Sequence, residues 1–132
     1  MFAPTKGIIE FRVRYPECDP MSLAHHAAYP VWFEMGRTEL LREAGFRYRD
    51  LEQAGAFFAV YTLNIKYRRP ARYDDPLRLE TTLVRWTRAK LEHEYALYRG
   101  SELLTTAATT IACLDADGRP RAIPDHILPE SP

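Results

Sequence analysis

Tyr29-Pro30-Val31-Trp32-Phe33-Glu34-Met35-Gly36-Arg37-Thr38-Glu39-Leu40-Leu41-Arg42-Glu43-Ala44-Gly45 is the one long helical pattern in this 132-residue chain. Trp32, Met35, Gly36, Leu40 and Ala44 fall on one face at helical spacing, and Phe33 and Leu41 widen the apolar arc. So wide an arc predicts burial on more than one side. A start at Tyr29 or Pro30 fits, because proline's missing N–H costs nothing in a first turn. Gly45 is the expected stop. Glu39 and Arg42 stand three apart, placed for an ion pair on the wetter flank. Gly36 inside the helix costs about 1 kcal/mol relative to alanine, which points to close packing against a neighbouring backbone.

On either side of the helix the period is two. Ile9, Phe11, Val13 and Tyr15 alternate with Glu10, Arg12 and Arg14, predicting a half-buried strand over 8–15 that Pro16 ends. After position 56, Ala59, Tyr61, Leu63, Ile65 and Tyr67 alternate with Val60, Thr62, Asn64, Lys66 and Arg68. Arg69 to Pro76 reads as a turn. Leu77, Leu79, Thr81 and Leu83 form the next alternating set, and Leu91, His93, Tyr95 and Leu97 the one after. Gly100-Ser101 is a hairpin turn, Leu103 to Leu114 has the mild faces of an inner strand, and Asp117-Gly118 is a second hairpin signal. Strands joined by short turns are antiparallel. One apolar helix and one sheet with a single greasy face predict an α+β two-layer domain, with the sheet wrapping the helix. The chain reads as a single domain over 1–132, and 118–132 reads as a C-terminal tail that frays.

Lys+Arg and Asp+Glu both number 18, so the formal net charge is zero. That balance argues against nucleic acid as the main partner. It also favours an oligomer that hides surface. Edge strands of an alternating sheet invite pairing with a second subunit. Cys18 and Cys113 make neither a disulfide framework nor a zinc spacing. No window reaches the roughly 18 apolar residues of a membrane span. The opening residues lack an apolar signal region, so the expected compartment is the cytoplasm.

The irregular stretch before the helix holds Glu17-Cys18-Asp19-Pro20 and then His25-His26. Its loop can bring the Asp19 carboxylate to the helix N-terminus, where free N–H donors can hold a developing oxyanion. A carboxylate beside them can attack a substrate carbonyl or deprotonate a water that does. The plainer reading is that Asp19 caps a turn.

Arg14-Tyr15-Pro16-Glu17-Cys18-Asp19-Pro20-Met21-Ser22-Leu23-Ala24-His25-His26-Ala27-Ala28-Tyr29 resembles the active-site loop of the 4-hydroxybenzoyl-CoA thioesterase family, in its YbgC-like branch. Phe33 to Glu39 resembles that family's helix, and Tyr67-Arg68-Arg69-Pro70-Ala71-Arg72-Tyr73-Asp74-Asp75 its strand-turn signature. The resemblance implies a hotdog fold and an acyl-CoA substrate. It implies no metal, and no cofactor beyond the coenzyme A of the substrate itself. It also implies a homo-oligomer, dimer or tetramer, with the active site at the subunit interface. The family's catalytic carboxylate falls on Asp19 and its histidine on His26, whose own or adjacent backbone N–H would be the oxyanion donor. Tyr15, His25, Ala27 and Tyr29 are expected around the substrate. The family commonly has asparagine where Ala28 stands, often tyrosine at His25, and a glycine-bearing stretch where this chain has Met21-Ser22-Leu23, so this loop is expected to be stiffer.

Phe57, Phe58 and Val60 could line an acyl pocket, with core packing the equal alternative. Arg68, Arg69, Arg72, Arg85, Arg88 and Lys90 gather near strand ends and could meet the phosphates of CoA, or be ordinary solvated turns. Adjacent histidines on an extended segment point to opposite sides, so His25 and His26 are poorly placed to share a metal. Asp115-Ala116-Asp117-Gly118 lacks the glutamate of a calcium loop and reads as a turn. His93 lies on an inward face and reads as a satisfied core or interface histidine. An acyl-CoA thioesterase is thus the leading reading, against a non-catalytic acyl-CoA sensor or scaffold on the same fold. The buried-type carboxylate at Asp19 separates the two.

Overall fold

A computed structural model describes residues 4–130. Strand β1 (Lys6–Arg12) leads into a 3-10 turn, Tyr15–Glu17. Helix α1 spans Ala28–Glu43 and a short helix α2 spans Tyr48–Gln53. Strands β2 (Phe57–Tyr67), β3 (Pro76–Trp86), β4 (Lys90–Arg99) and β5 (Glu102–Leu114) follow, and a 3-10 turn covers Asp125–Ile127. The strands form one antiparallel sheet in the order β1-β3-β4-β5-β2.

Helix α1 begins at Ala28, slightly earlier than expected, so Pro30 sits inside the first turn where no hydrogen bond is lost. Its C-terminus closes on Gly45 at φ +95°, with Gly45 N–H donating to Arg42 O (2.9 Å) and Phe46 N–H to Leu41 O (3.1 Å). That pair of bonds satisfies the last carbonyls as only a left-handed residue allows. Trp32, Phe33, Gly36, Arg37 and Leu40 are buried, while Met35 faces out. A methyl group on Gly36 would collide with Thr81 Oγ1 and come within 2.9 Å of Leu79 Cδ2. The missing side chain is what lets α1 lie directly on β3. The inward residues of β3 and β4 are Leu77, Leu79, Thr81, Leu83, Leu91, His93, Tyr95 and Leu97, and all are buried.

Three expectations are corrected. First, β1 ends at Arg12, so Tyr15 is not inward but 77% exposed in the following turn. Second, β2 does not keep one face along its length. A bulge between Val60 and Thr62 inserts Tyr61, and both Phe58 and Ile65 then pack on core residues although an odd number of positions separates them. Third, the segment after Gly118 is docked as far as Leu128, and residues 131 and 132 of the expected tail lie outside the described residues. Arg121 N–H bonds Cys113 O (3.0 Å), Ile123 N–H bonds Arg88 O (2.7 Å), and Ile123 and Ile127 are buried. Asp115 accepts from Asp117 and Arg119 N–H, so that stretch is a turn.

Candidate active site

Residues 14–27 form a tight hairpin-like loop against the N-terminus of α1. Asp19 N–H donates to Leu23 O (2.8 Å), Ser22 N–H to Asp19 O (3.0 Å), and Cys18 bridges Ala24. Ser22 sits at φ 63°, where glycine is the comfortable residue. Glu17 anchors the loop from inside. Its carboxylate accepts the Arg14 N–H (2.7 Å), the Arg14 guanidinium (3.2 Å) and the Trp32 indole N–H (2.8 Å). Its backbone oxygen accepts His25 N–H (2.7 Å).

The other flank of the loop docks on the turn between β2 and β3. Ala24 N–H donates to Ala71 O (2.8 Å), Tyr73 N–H to Ser22 O (2.9 Å), and Leu23 bridges Arg72. That turn is locked by Asp75, which accepts Arg72 N–H (2.8 Å) and the Arg99 guanidinium (2.6 Å). Arg99 also reaches Glu102, as does Arg69. The two sequence motifs therefore meet in space, and the second holds the first.

Asp19 is half-buried, and its two oxygens are not equivalent. Oδ1 accepts from Met21 N–H (2.8 Å) and Leu23 N–H (3.1 Å), while Oδ2 has no hydrogen-bond partner among the described residues. At the helix start, His25 Nδ1 accepts Ala27 N–H (3.1 Å) and His25 O accepts Ala28 N–H (2.9 Å). The His26 N–H has no acceptor among the described residues, and its carbonyl receives the Tyr67 hydroxyl (2.8 Å). The His26 ring lies against the His25 ring, 4.2 Å between centroids, and makes no hydrogen bond to Asp19. What His26 offers is therefore its main chain. Cys18 is a poor competitor for nucleophile, since burial and the charges of Glu17 and Asp19 push its thiol pKa up.

The other expected site residues divide into two groups. Tyr15 is exposed beside Tyr73, and Ala27 is exposed at the helix cap. Tyr29, expected at the substrate, is instead a core residue at 2% exposure whose hydroxyl accepts Ala71 N–H (3.3 Å). Arg68 is exposed at this end of the sheet, with no carboxylate within 4 Å among the described residues. Phe58, Val60, Arg88 and Lys90 lie at the opposite end. Phe58 pairs with Cys113 and Lys90 with Ala112, whereas Tyr67 pairs with Thr105 at the Asp19 end. Nine residue steps separate Phe58 from Tyr67, roughly 30 Å of strand. Arg69 and Arg85 are engaged by Glu102 and Glu92, and Arg88 only loosely by Asp125 at 3.6 Å.

At that far end a cavity of about 260 Å³ opens between α1, α2 and β2, lined by Arg37, Tyr48, Phe57, Phe58 and Val60 among others. Arg37, unremarked in the sequence, is 7% exposed. It donates to Tyr95 Oη (3.0 Å), which lies 2.7 Å from Thr109 Oγ1, and no carboxylate is within 4 Å of it among the described residues. Its spacing, four after Phe33 and three before Leu40, was the available signal. His93 is buried as expected but not satisfied, because its Nδ1 has no partner among the described residues. Burial, and then the Arg37 charge, push the His93 pKa down to about 3. Among the described residues no group of three or more His, Cys, Asp or Glu is arranged to hold a metal.

The thioesterase-like superfamily description matches residues 13–130. This chain belongs to that superfamily. The acyl-CoA thioesterase YbgC of Haemophilus influenzae is 35% identical to this thioesterase over 118 residues, which covers 88% of this chain and 87% of the relative. The acyl-CoA thioester hydrolase YbgC of Escherichia coli O6:H1 is 31% identical over 121 residues, 90% of each chain. Among solved structures, a DHNA-CoA thioesterase from Staphylococcus aureus superposes with a TM-score of 0.85 at 29% identity, over 89% of this chain and 80% of that one. The sheet wrapped on one long helix is the hotdog fold, and the chain is a thioester hydrolase.

Proposed function

We propose that this thioesterase hydrolyses an acyl-CoA to the free acid and CoA, with Asp19 acting on the thioester carbonyl and the His26 N–H holding its oxygen. One observation carries the reading. Asp19 has one oxygen pinned by two N–H groups and the other open, in the same loop that ends at the unengaged His26 N–H. A donor there gains strength only as the carbonyl oxygen becomes negative, which lowers the barrier without tightening ground-state binding. Oδ2 acts in one of two ways. It can attack the carbonyl carbon, expelling CoA thiolate and leaving an acyl-aspartyl anhydride that water cleaves. Or it can take a proton from a water that attacks directly. Label from ¹⁸O-water entering Asp19 in a single turnover supports the first.

The groups that bind the acyl and phosphate ends of the substrate come from a second copy. Free edge β2 exposes Val60 (50%), Tyr61 (78%), Leu63 (42%) and Tyr67 (48%). Two such edges pairing antiparallel about a two-fold axis bring Phe58 and Val60 of one chain beside His26 of the other. Arg88 and Lys90 arrive with them, and Arg68 stands ready on the near side, so basic groups flank the route for CoA phosphates. No metal or added cofactor enters this mechanism. The free thiols Cys18 and Cys113 suit a reducing cytoplasm. The test is thiol release across a panel of acyl-CoA and acyl-carrier-protein thioesters, with excess chelator present. No turnover of any acyl-CoA would refute the proposal. Light scattering at micromolar concentration should give at least twice 15.3 kDa.

A further inference from the structure

Tyr67 is the last residue of β2, and its hydroxyl reaches across 41 positions of sequence to donate to His26 O at 2.8 Å. Its ring stands edge-on to Tyr29, 4.9 Å between centroids. Tyr29 is buried and fixed in turn by its hydroxyl bond from Ala71 N–H. The phenol that reaches His26 is therefore mounted on the core, although Tyr67 itself is half exposed.

His26 lies just outside α1, so its carbonyl takes no part in the helical ladder. Water could satisfy that carbonyl equally well, since the residue is exposed. What water could not do is fix its direction. On the preceding side, the peptide that carries the His26 N–H is held through its own carbonyl, His25 O, which accepts Ala28 N–H at 2.9 Å. On the following side, the peptide that carries the His26 carbonyl is held at its N–H by His25 Nδ1 (3.1 Å) and at its oxygen by Tyr67, the one of these bonds that ties it to the sheet. We infer that Tyr67 is a positioning residue for the oxyanion donor: by anchoring the carbonyl side of His26 to the sheet it fixes the residue between two held peptides, and with it the direction in which the His26 N–H meets the thioester carbonyl. This rests on the assignment of that N–H in the proposed function. Burial, and then Tyr29, raise the pKa of the Tyr67 phenol, so it remains protonated and able to donate through neutral pH.

The test compares Tyr67→Phe with Asp19→Asn and wild type. Tyr67→Phe keeps the ring and its contact with Tyr29. Its kcat should fall about tenfold or more while KM stays within about twofold, because a misdirected donor costs the transition state and not ground-state binding. A purely structural hydroxyl would shift the melting temperature and leave that split absent. 3-Fluorotyrosine at position 67 retains the hydroxyl and should retain kcat, so loss of the donor is separated from loss of the native residue even if Tyr67→Phe folds poorly. A spectroscopic reading comes from the carbonyl stretch of an acyl-CoA bound to Asp19→Asn, which the His26 N–H should move to lower frequency. Adding Tyr67→Phe should move it back towards the free value. Asp19→Asn inactive together with Tyr67→Phe at wild-type kcat would overturn the role given to Tyr67 alone. Full activity in Asp19→Asn would instead overturn the reading on which it rests.

Discussion

The indole N–H of Trp32 donates to Glu17 Oε2 at 2.8 Å, tying the first full turn of α1 to the loop that carries Asp19. Trp32 is 1% exposed and packs on Phe11 and Tyr29, so the loop is referenced to the core rather than to solvent. The loop and the helix terminus thus share one anchor in the core.

Glu17 should make stability depend on acid. Burial pushes its pKa up, but the bonds from Arg14 N–H, the Arg14 guanidinium and Trp32 outweigh it and hold the carboxyl below its ordinary value. Its contribution is present above the unfolded-state pKa and is lost as pH falls through the folded one. Glu17→Gln should cost about 1.5–3 kcal/mol at pH 7, as expected for charge-assisted bonds, and much less at pH 3. Urea midpoints at the two pH values check this. An equal cost at both would show that the charge is irrelevant.

Asp19→Asn should separate chemistry from structure. The amide oxygen can still accept from Met21 and Leu23 N–H, so the melting temperature should barely change. Turnover should fall on the order of 10² or more, because no carboxylate remains to attack or to take a proton. Steady-state thiol release on the best substrate measures the rate, and wild-type turnover in a folded variant rules the role out.

His93 makes a second, separate pH effect. Its folded pKa of about 3 lies below the ordinary 6.5, so the neutral form is the stable one. Stability is complete above pH 6.5 and declines as pH falls towards the folded value, by up to about 1.4 kcal/mol per pH unit. His93→Leu should flatten the stability curve between pH 6.5 and 5, where the carboxylates remain ionised. A curve as steep as wild type in denaturant titrations would contradict the assignment.

Ser22 at φ 63° carries strain that glycine would not. Ser22→Gly should stabilise by about 0.5–1 kcal/mol, the left-handed penalty less the entropy glycine adds to the unfolded chain. Calorimetry should show a higher melting temperature. A drop would mean that the serine side chain contributes more than its backbone costs.

Much of this was readable in the sequence, and the exceptions have physical causes. The β3 and β4 alternations survive intact, and the α1 pattern does so apart from the outward Met35, because each follows a single period. In β2 the pattern misled, since one inserted residue at Tyr61 reverses every side chain beyond it and alternation alone carries no mark of a bulge. Helix α2 was missed because six residues with one buried leucine have too little periodicity to register. The last segment looked loose from its prolines, yet Ile123 and Ile127 had the apolar side chains to dock it. Arg37 was passed over because a charged residue on an apolar stripe is ordinarily solvated. Tyr67 could not be linked to His26 from sequence, as nothing local connects positions 41 apart.

The opposite placement of Phe58 and Tyr67 along β2 has a genetic consequence. If each site draws its carboxylate from one chain and its acyl pocket from the other, two lesions need not lie in the same site. Asp19→Asn blocks the first contribution and Val60→Glu the second, so either homodimer is inactive. In a mixed dimer both defects fall on one site and the other is whole. Unfolding the two dead proteins together and refolding them should therefore return about a quarter of wild-type sites by random pairing. Two null alleles of such a gene, expressed in one cell, would complement each other.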